Sequence, residues 1–422
     1  MKFSNVLNQT SKTLLLAAAL TPAVIVQAND VIWTGNAGDG LWGSVSNWST
    51  NALPGTGDNA ILGANVSSGA VTMNTNAGVG TVVFGGDATS SIGITLTTTG
   101  RLVQGITVDA SNQYDNSISA RQYILGGNHG FTGTYDLVID NASSHILTVG
   151  TELSMSRAGA AGATMNVRLN GVGTSVLNSN INQMTSETSG PSTLNIEKND
   201  AGTSILNGVR TYNGTTVVNG GTLVINGTHT GGAAYSVASG GLLAGNGTVT
   251  TAGDAGLTLE AGATFAPGSA TGLSDSTGTL TLNFGTGALD ISAAVAGGDT
   301  AAIRYTVGDS TDLIVLGTGT TFNIGSGELE FADFDFTVDG VLAEGTYVLV
   351  ETSGTGTIVG DLGENVSGLL AEGLMGTLAI TTDGNTGFDS MVLTVAAIPE
   401  PSTMGMAFLG LVLLVGVLRR RR

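Results

Sequence analysis

A chain of 422 residues that is 41% hydrophobic and 11% charged has enough apolar material for a sizeable core, which excludes wholesale disorder. It has no Cys, which excludes a disulfide framework and a thiolate metal site. Six of its 13 basic residues lie at the two ends, so between Lys12 and Arg419 seven basic residues face all 32 acidic ones; that formal charge of −25 excludes nucleic-acid binding and favours solubility and cation association.

Residues 1–28 have the three parts of a secretory signal. Lys2 and Lys12 supply a positive start, residues 14–20 and 23–26 form the apolar run, and Val26-Gln27-Ala28 presents small or branched residues at the cleavage positions. Cleavage by signal peptidase is expected between Ala28 and Asn29. Pro22 and the hydrophilic Asn29-Asp30 argue against the alternative, a buried N-terminal helix.

The next segment carries all three tryptophans, Trp33, Trp42 and Trp48, followed by Pro54-Gly55-Thr56-Gly57-Asp58. Three large aromatics here suit a cap over the open end of a repetitive core. A sugar-stacking platform made by the same rings is the functional alternative. Gly38-Asp39-Gly40-Leu41-Trp42-Gly43 spells G-x-G-x-x-G but opens no predicted helix, so it is read as a chance match.

From there to residue 397 the recurring unit is a short run of Val, Ile, Leu and Thr bounded by Gly, Asn or Asp, as at 82–84, 216–218, 222–225, 257–259, 279–282, 312–316, 346–350 and 391–395. This predicts an all-β body. Strand centres near Val217, Val237, Thr258 and Leu280 are 20, 21 and 22 residues apart. A near-fixed period of that size predicts a β-solenoid, with a β-sandwich as the alternative. Gly and Asn are expected at corners needing positive φ, and Asn also as side-chain ladders along the stack.

Residues 208–223, reading GVRTYNGTTVVNGGTL, are similar to the autotransporter-associated β-strand repeat, with Arg210 where that family usually has Asn. Segments 242–247 and 262–268 resemble its continuation, and 312–317 and 345–350 its looser C-terminal flank. The resemblance implies a right-handed parallel β-helix. The tryptophan segment is similar to the starts of proteins of the same broad class.

Chemistry-bearing patterns are scarce. His129, His145 and His229 have no metal-ligand spacing and are read as exposed loop residues. There is no nucleophile elbow, phosphate loop or Cys nucleophile. Glu328, Glu330, Asp333, Asp335 and Asp339 surround Phe331, Phe334 and Phe336. The alternation from Asp333 to Phe336 predicts a strand with a solvated acidic face and aromatics opposite. Calcium binding and a glycosidase-like acid pair are the functional alternatives.

The chain ends with Pro399-Glu400-Pro401, an apolar run over 404–418, and Arg419, Arg420, Arg421 and Arg422. As a helix the run rises about 22 Å, short of a hydrocarbon core of about 30 Å, a deficit that snorkelling arginines and local thinning cover. The arginines should stay cytoplasmic and the body outside. Tripeptide, short apolar run and terminal arginines together resemble the PEP-CTERM sorting signal of Gram-negative bacteria. That resemblance implies recognition of Pro399-Glu400-Pro401 by exosortase, an integral membrane cysteine protease, and an association with exopolysaccharide and biofilm.

The sequence thus divides into a signal peptide (1–28), an N-terminal β-solenoid with the tryptophan segment (29–205), the repeat region (206–300), a C-terminal β region (301–397) and the sorting tail with a membrane helix (398–422). It is expected to be an exported, non-enzymatic surface or extracellular-matrix protein with no cofactor. Its expected partners are the secretion machinery, exosortase, the membrane before processing, and exopolysaccharide. A polysaccharide-binding adhesin and a carbohydrate-active β-helix enzyme are the alternatives.

Overall fold

The computed structural model describes residues 28–398 apart from 68, 77, 98–99, 120, 125–132, 151, 156–162, 183–192, 269–276 and 297–301. The expected signal helix and C-terminal membrane helix lie outside the described residues. Among the described residues the one α-helix is a single turn, Ser292–Val295, and no helix is long and apolar enough to cross a membrane.

Nearly all regular structure is parallel strand, arranged in three ladders. The first runs from Asn29–Ile32 through Thr164–Asn170 to Thr357–Leu362. The second runs from Ala70–Met73 to Phe334–Asp339 and forms a separate 11-stranded sheet. The third runs from Arg121–Ile124 to Gly345–Thr352. Gly100–Val108 bends through two ladders, its start pairing with Arg121–Ile124 and its end with Thr134–Asn141. Successive strands visit the ladders in rotation: Thr193–Lys198 on the first, Thr203–Leu206 on the second, Arg210–Thr211 on the third, and Thr216–Val218 on the first again. This parallel all-β arrangement is consistent with a β-solenoid. It overturns the β-sandwich alternative, whose sheets are antiparallel.

The core follows from two-residue alternation. Every second side chain of a strand points inward, and parallel register stacks it on its counterpart in the next circuit. Leu137, Val167, Ile196, Thr216, Tyr235, Leu257, Leu289 and Phe322 form one such column, each buried. Each rung adds apolar area removed from water, worth about 1.5–3 kcal/mol for a fully buried Leu, Ile or Phe.

The predicted period holds only in part. Val217 pairs with Ser236, and Val237 with Leu259, so those centres share the first ladder. Thr258 pairs with Asp290, whereas Leu280 pairs with Ile314 on the third ladder. The third spacing, from Thr258 to Leu280, therefore joined strands of different ladders. Circuit length is not fixed either: stacked asparagines lie 29 residues apart in one circuit and 20 or 19 in the next.

Asparagine ladders are present. Asn199 Nδ2 donates to Asn170 Oδ1 at 3.0 Å, and Asn219 Nδ2 to Asn199 Oδ1 at 2.9 Å. A second stack joins Asn178, Asn207 and Asn226 at 2.8 and 3.0 Å. A third runs from Asp136 through Asn166 to Asn195. Corner asparagines thus act through side-chain stacking; Asn51 is the one non-glycine with positive φ among the described residues. Elsewhere among the described residues positive φ is left to glycine. At Gly221, φ is +62° and a Cβ would stand 2.2 Å from the Asp200 carbonyl oxygen, so only glycine fits.

At the C-terminal end the pairing changes sense. Gly345–Thr352 pairs antiparallel with Asp389–Ala397, which pairs antiparallel with Leu374–Thr382, itself in a hairpin with Ser367–Ala371. An antiparallel meander turns the last ladder away from further parallel addition.

Candidate functional site

The sorting residues Pro399, Glu400, Pro401, Arg419, Arg420, Arg421 and Arg422 lie outside the described residues, but the structure carries the chain up to them. In the last strand, Ala397 pairs with Leu374. Beyond it the Ile398 N–H donates to the Gly373 carbonyl at 2.8 Å. Pro399 follows immediately, and having no N–H it could not extend the ladder. The tripeptide therefore begins where the sheet ends, with no intervening linker. At the other terminus, Asn29 opens the first strand in register with Asp58, its Nδ2 3.2 Å from Asp58 Oδ1. The expected cleavage between Ala28 and Asn29 falls at the first residue of the folded body.

Trp33, Trp42 and Trp48 are brought together. Trp48 stands edge-on to Trp33 with centroids 5.1 Å apart, and to Trp42 at 4.6 Å. Its Nε1 donates to the Trp42 carbonyl at 2.8 Å. All three are buried, at 2%, 0% and 1% exposure, in the same apolar core as the ladder columns. Sugar stacking needs an open ring face, and none of the three presents one in this structure. The adjoining crevice, lined in part by Trp33, Asp39 and Asn65, holds about 180 Å³, below the roughly 300–1,000 Å³ of small-molecule sites.

The G-x-G-x-x-G letters have a structural use that motif reading missed. Asp39 accepts from Ser44 Oγ at 2.5 Å, from the Leu41 N–H at 2.9 Å and from Asn47 Nδ2 at 2.8 Å. These bonds, the one from Ser44 foremost, hold its carboxyl below the usual carboxylate range. Asn47, fully buried, also accepts from the Ala37 N–H at 2.7 Å. Asp39 and Asn47 thus tie the loop that carries Trp42 to the turn that carries Trp48.

The structure corrects the reading of His229 as an exposed loop residue. It is fully buried on the third ladder, in register with Arg210, which is fully buried as well. Arg210 donates to the Gly208 and Leu177 carbonyls at 2.6 and 3.1 Å. His229 Nδ1 lies 3.3 Å from Tyr235 Oη, which is 2.6 Å from Tyr212 Oη, which is 2.6 Å from Thr216 Oγ1. Burial, and then the Arg210 charge, push the His229 pKa well below its ordinary value, so the ring is neutral. Burial lowers Arg210 to about 10, so it stays charged at neutral pH. Inward polar side chains are invisible in a pattern that alternates Thr with everything else. His145 lies 3.5 Å from Asp115 on the surface, and His129 lies outside the described residues.

The acidic segment also differs from expectation. Asp333 is not on a strand face: Phe331–Asp333 is a 3₁₀ turn, and Asp333 is buried with Oδ2 accepting the Glu330 N–H at 2.7 Å. Glu330 in turn accepts from Asn365 Nδ2 at 3.0 Å. Asp335 is exposed and pairs in register with Arg304, whose Nε is 3.9 Å from its Oδ2. Phe334 and Phe336 stack at 5.2 Å. Among the described residues no group of three or more His, Asp or Glu is placed to hold a metal.

Residues 397–422 match the PEP-CTERM protein-sorting motif. That motif implies an exported protein with a C-terminal sorting tail and an exosortase as its processing partner. No curated protein and no solved structure matches the chain.

Proposed function

We propose, from a body whose last strand runs directly into a PEP-CTERM tail, that this chain is a non-enzymatic exported β-solenoid sorted by exosortase. The match at 397–422 is the observation that carries this reading. Its tail holds the precursor in the inner membrane; processing then yields a cell-surface or extracellular-matrix protein associated with exopolysaccharide. The body is a right-handed parallel β-helix related to the autotransporter-associated repeat, an assignment supported by the rotation of strands through three parallel ladders. The non-enzymatic reading is supported by what occupies the polar side chains. Asp39, Glu330 and Asp333 hold loops, and Arg210, Tyr212, His229 and Tyr235 bond one another or backbone inside the core.

Fractionating cells with and without an active exosortase tests the sorting claim. The expected result is a full-length, membrane-associated form without the enzyme and a shortened form at the surface or in the medium with it. An intact tail and an unchanged location in both strains would sink it.

A further inference from the structure

The hairpin that receives the end of the last strand has an unusual surface. Ser367–Ala371 and Leu374–Thr382 enclose the sequence Leu369-Leu370-Ala371-Glu372-Gly373-Leu374-Met375, apolar except at its turn. Leu369 pairs directly with Met375, and Met375 with Ala396, so the three share one face of the meander. Leu369 is 65% exposed, Met375 41% and Ile398 39%. Among the described residues Leu369 and Met375 are the one Leu and the one Met in the set of exposed large hydrophobics, the rest being Val or Ile. Leu369 and Met375 are direct cross-strand neighbours, so their exposure is contiguous rather than scattered, and contiguous exposed apolar surface marks an interaction site.

Their place in the fold says what covers them. Ile398 is hydrogen-bonded to Gly373 of the hairpin turn, so the chain leaves the body at the hairpin tip. Only residues 399–403 separate Ile398 from the apolar run that begins at Met404. Even fully extended, that connection spans about 22 Å, and the headgroup layer takes up about 5–7 Å of it. The hairpin is therefore the part of the body held nearest the bilayer whenever the tail is inserted.

We infer that the apolar tip formed by Leu369, Met375 and Ile398 is a membrane-contact surface, seated in the lipid headgroup interface while the tail spans the bilayer. Contact lasts as long as the tail does. This inference rests on the reading of the tail as a membrane anchor.

The chain has no Cys, so one substitution gives a unique label. Leu369→Cys in the full chain is labelled with an environment-sensitive dye and reconstituted into phosphatidylethanolamine–phosphatidylglycerol vesicles. Val172→Cys, at a position 66% exposed on a distant circuit, serves as the reference. The expected result is co-flotation of both proteins, with blue-shifted emission and severalfold stronger quenching by brominated lipid at residue 369 only. Co-flotation with both labels equally aqueous overturns the contact surface and leaves the anchor standing. Failure to co-float overturns the anchor, and this inference with it. Shielding of residue 369 only when exosortase is co-reconstituted also overturns lipid contact, and makes the enzyme the partner.

Discussion

Asp312 shows how one residue can set a pH response. It is 2% exposed, and its carboxylate accepts the Thr306 N–H at 2.7 Å and the Gly278 N–H at 3.1 Å. Those bonds favour the charged form, but burial outweighs them and raises the pKa from 3.8 to about 6. A raised acid is protonated more readily in the folded state than in the unfolded one. Its contribution to stability is therefore full below 3.8 and is lost as pH rises through about 6, by up to about 3 kcal/mol. Asp312→Asn should remove this dependence: urea unfolding of wild type should weaken from pH 4 to pH 6.5, and the variant should show a flatter profile. Equal slopes would mean the buried carboxylate does not titrate in this window. Position 312 reads as an ordinary strand-edge aspartate in sequence. Only the fold reveals that the 278 and 306 backbones close over it.

At the scale of elements, the N-terminal cap carries the clearest energetic prediction. Trp48 lies between Trp33 and Trp42 and donates to the Trp42 carbonyl. Trp48→Ala should cost about 3–5 kcal/mol, the range for deleting a large buried aromatic. The loss should be local, because each circuit of a stacked repeat rests on its neighbours. Hydrogen exchange should show lost protection over residues 29–84, with the circuits beyond residue 203 nearly unchanged; uniform loss along the chain would contradict a cap. The cap itself was legible in sequence, because three of the few aromatics cluster before the first repetitive strands. The loop that sets its geometry was not: Asp39 and Asn47 lie eight residues apart and meet only through the 3₁₀ turn at Val45–Asn47. Similarly, the Asp333–Phe336 alternation looked like a strand, but the capping box between Glu330 and Asp333 won locally and delayed the strand to Phe334.

At the scale of the whole molecule, charge is the dominant long-range feature. Between Lys12 and Arg419 the formal charge is −25, with seven basic residues to offset 32 acidic ones. Self-repulsion of this size should be felt at low ionic strength, where the screening length is about 30 Å at 0.01 M and about 8 Å at 0.15 M. The melting temperature of the body is expected to rise between those salt concentrations. A fall would show that short-range ion pairs, such as Arg168 with Asp136 at 3.1 Å, outweigh the repulsion. Both ends of the stack are covered, by the tryptophan cap and by the antiparallel meander, so repulsion need not be the sole guard against end-to-end association.

The sequence by itself determined that the body is all β, because short Val, Ile, Leu and Thr runs between Gly and Asn leave no helical period. It also determined the likeness of the tail to a sorting signal, since that motif is contiguous and is read in the order of the chain. Asparagine ladders were foreseeable for a related reason, as stacking repeats places like side chains above one another. Tertiary structure alone decided which strand stacks on which, because circuits of unequal length can be aligned only in space. It turned His229 and Arg210 inward, since alternation gives a side-chain direction only once the register is fixed. It also placed the end of the chain against the apolar hairpin at Leu369 and Met375. That juxtaposition depends on antiparallel pairing between Leu374 and Ala397, which no local pattern encodes.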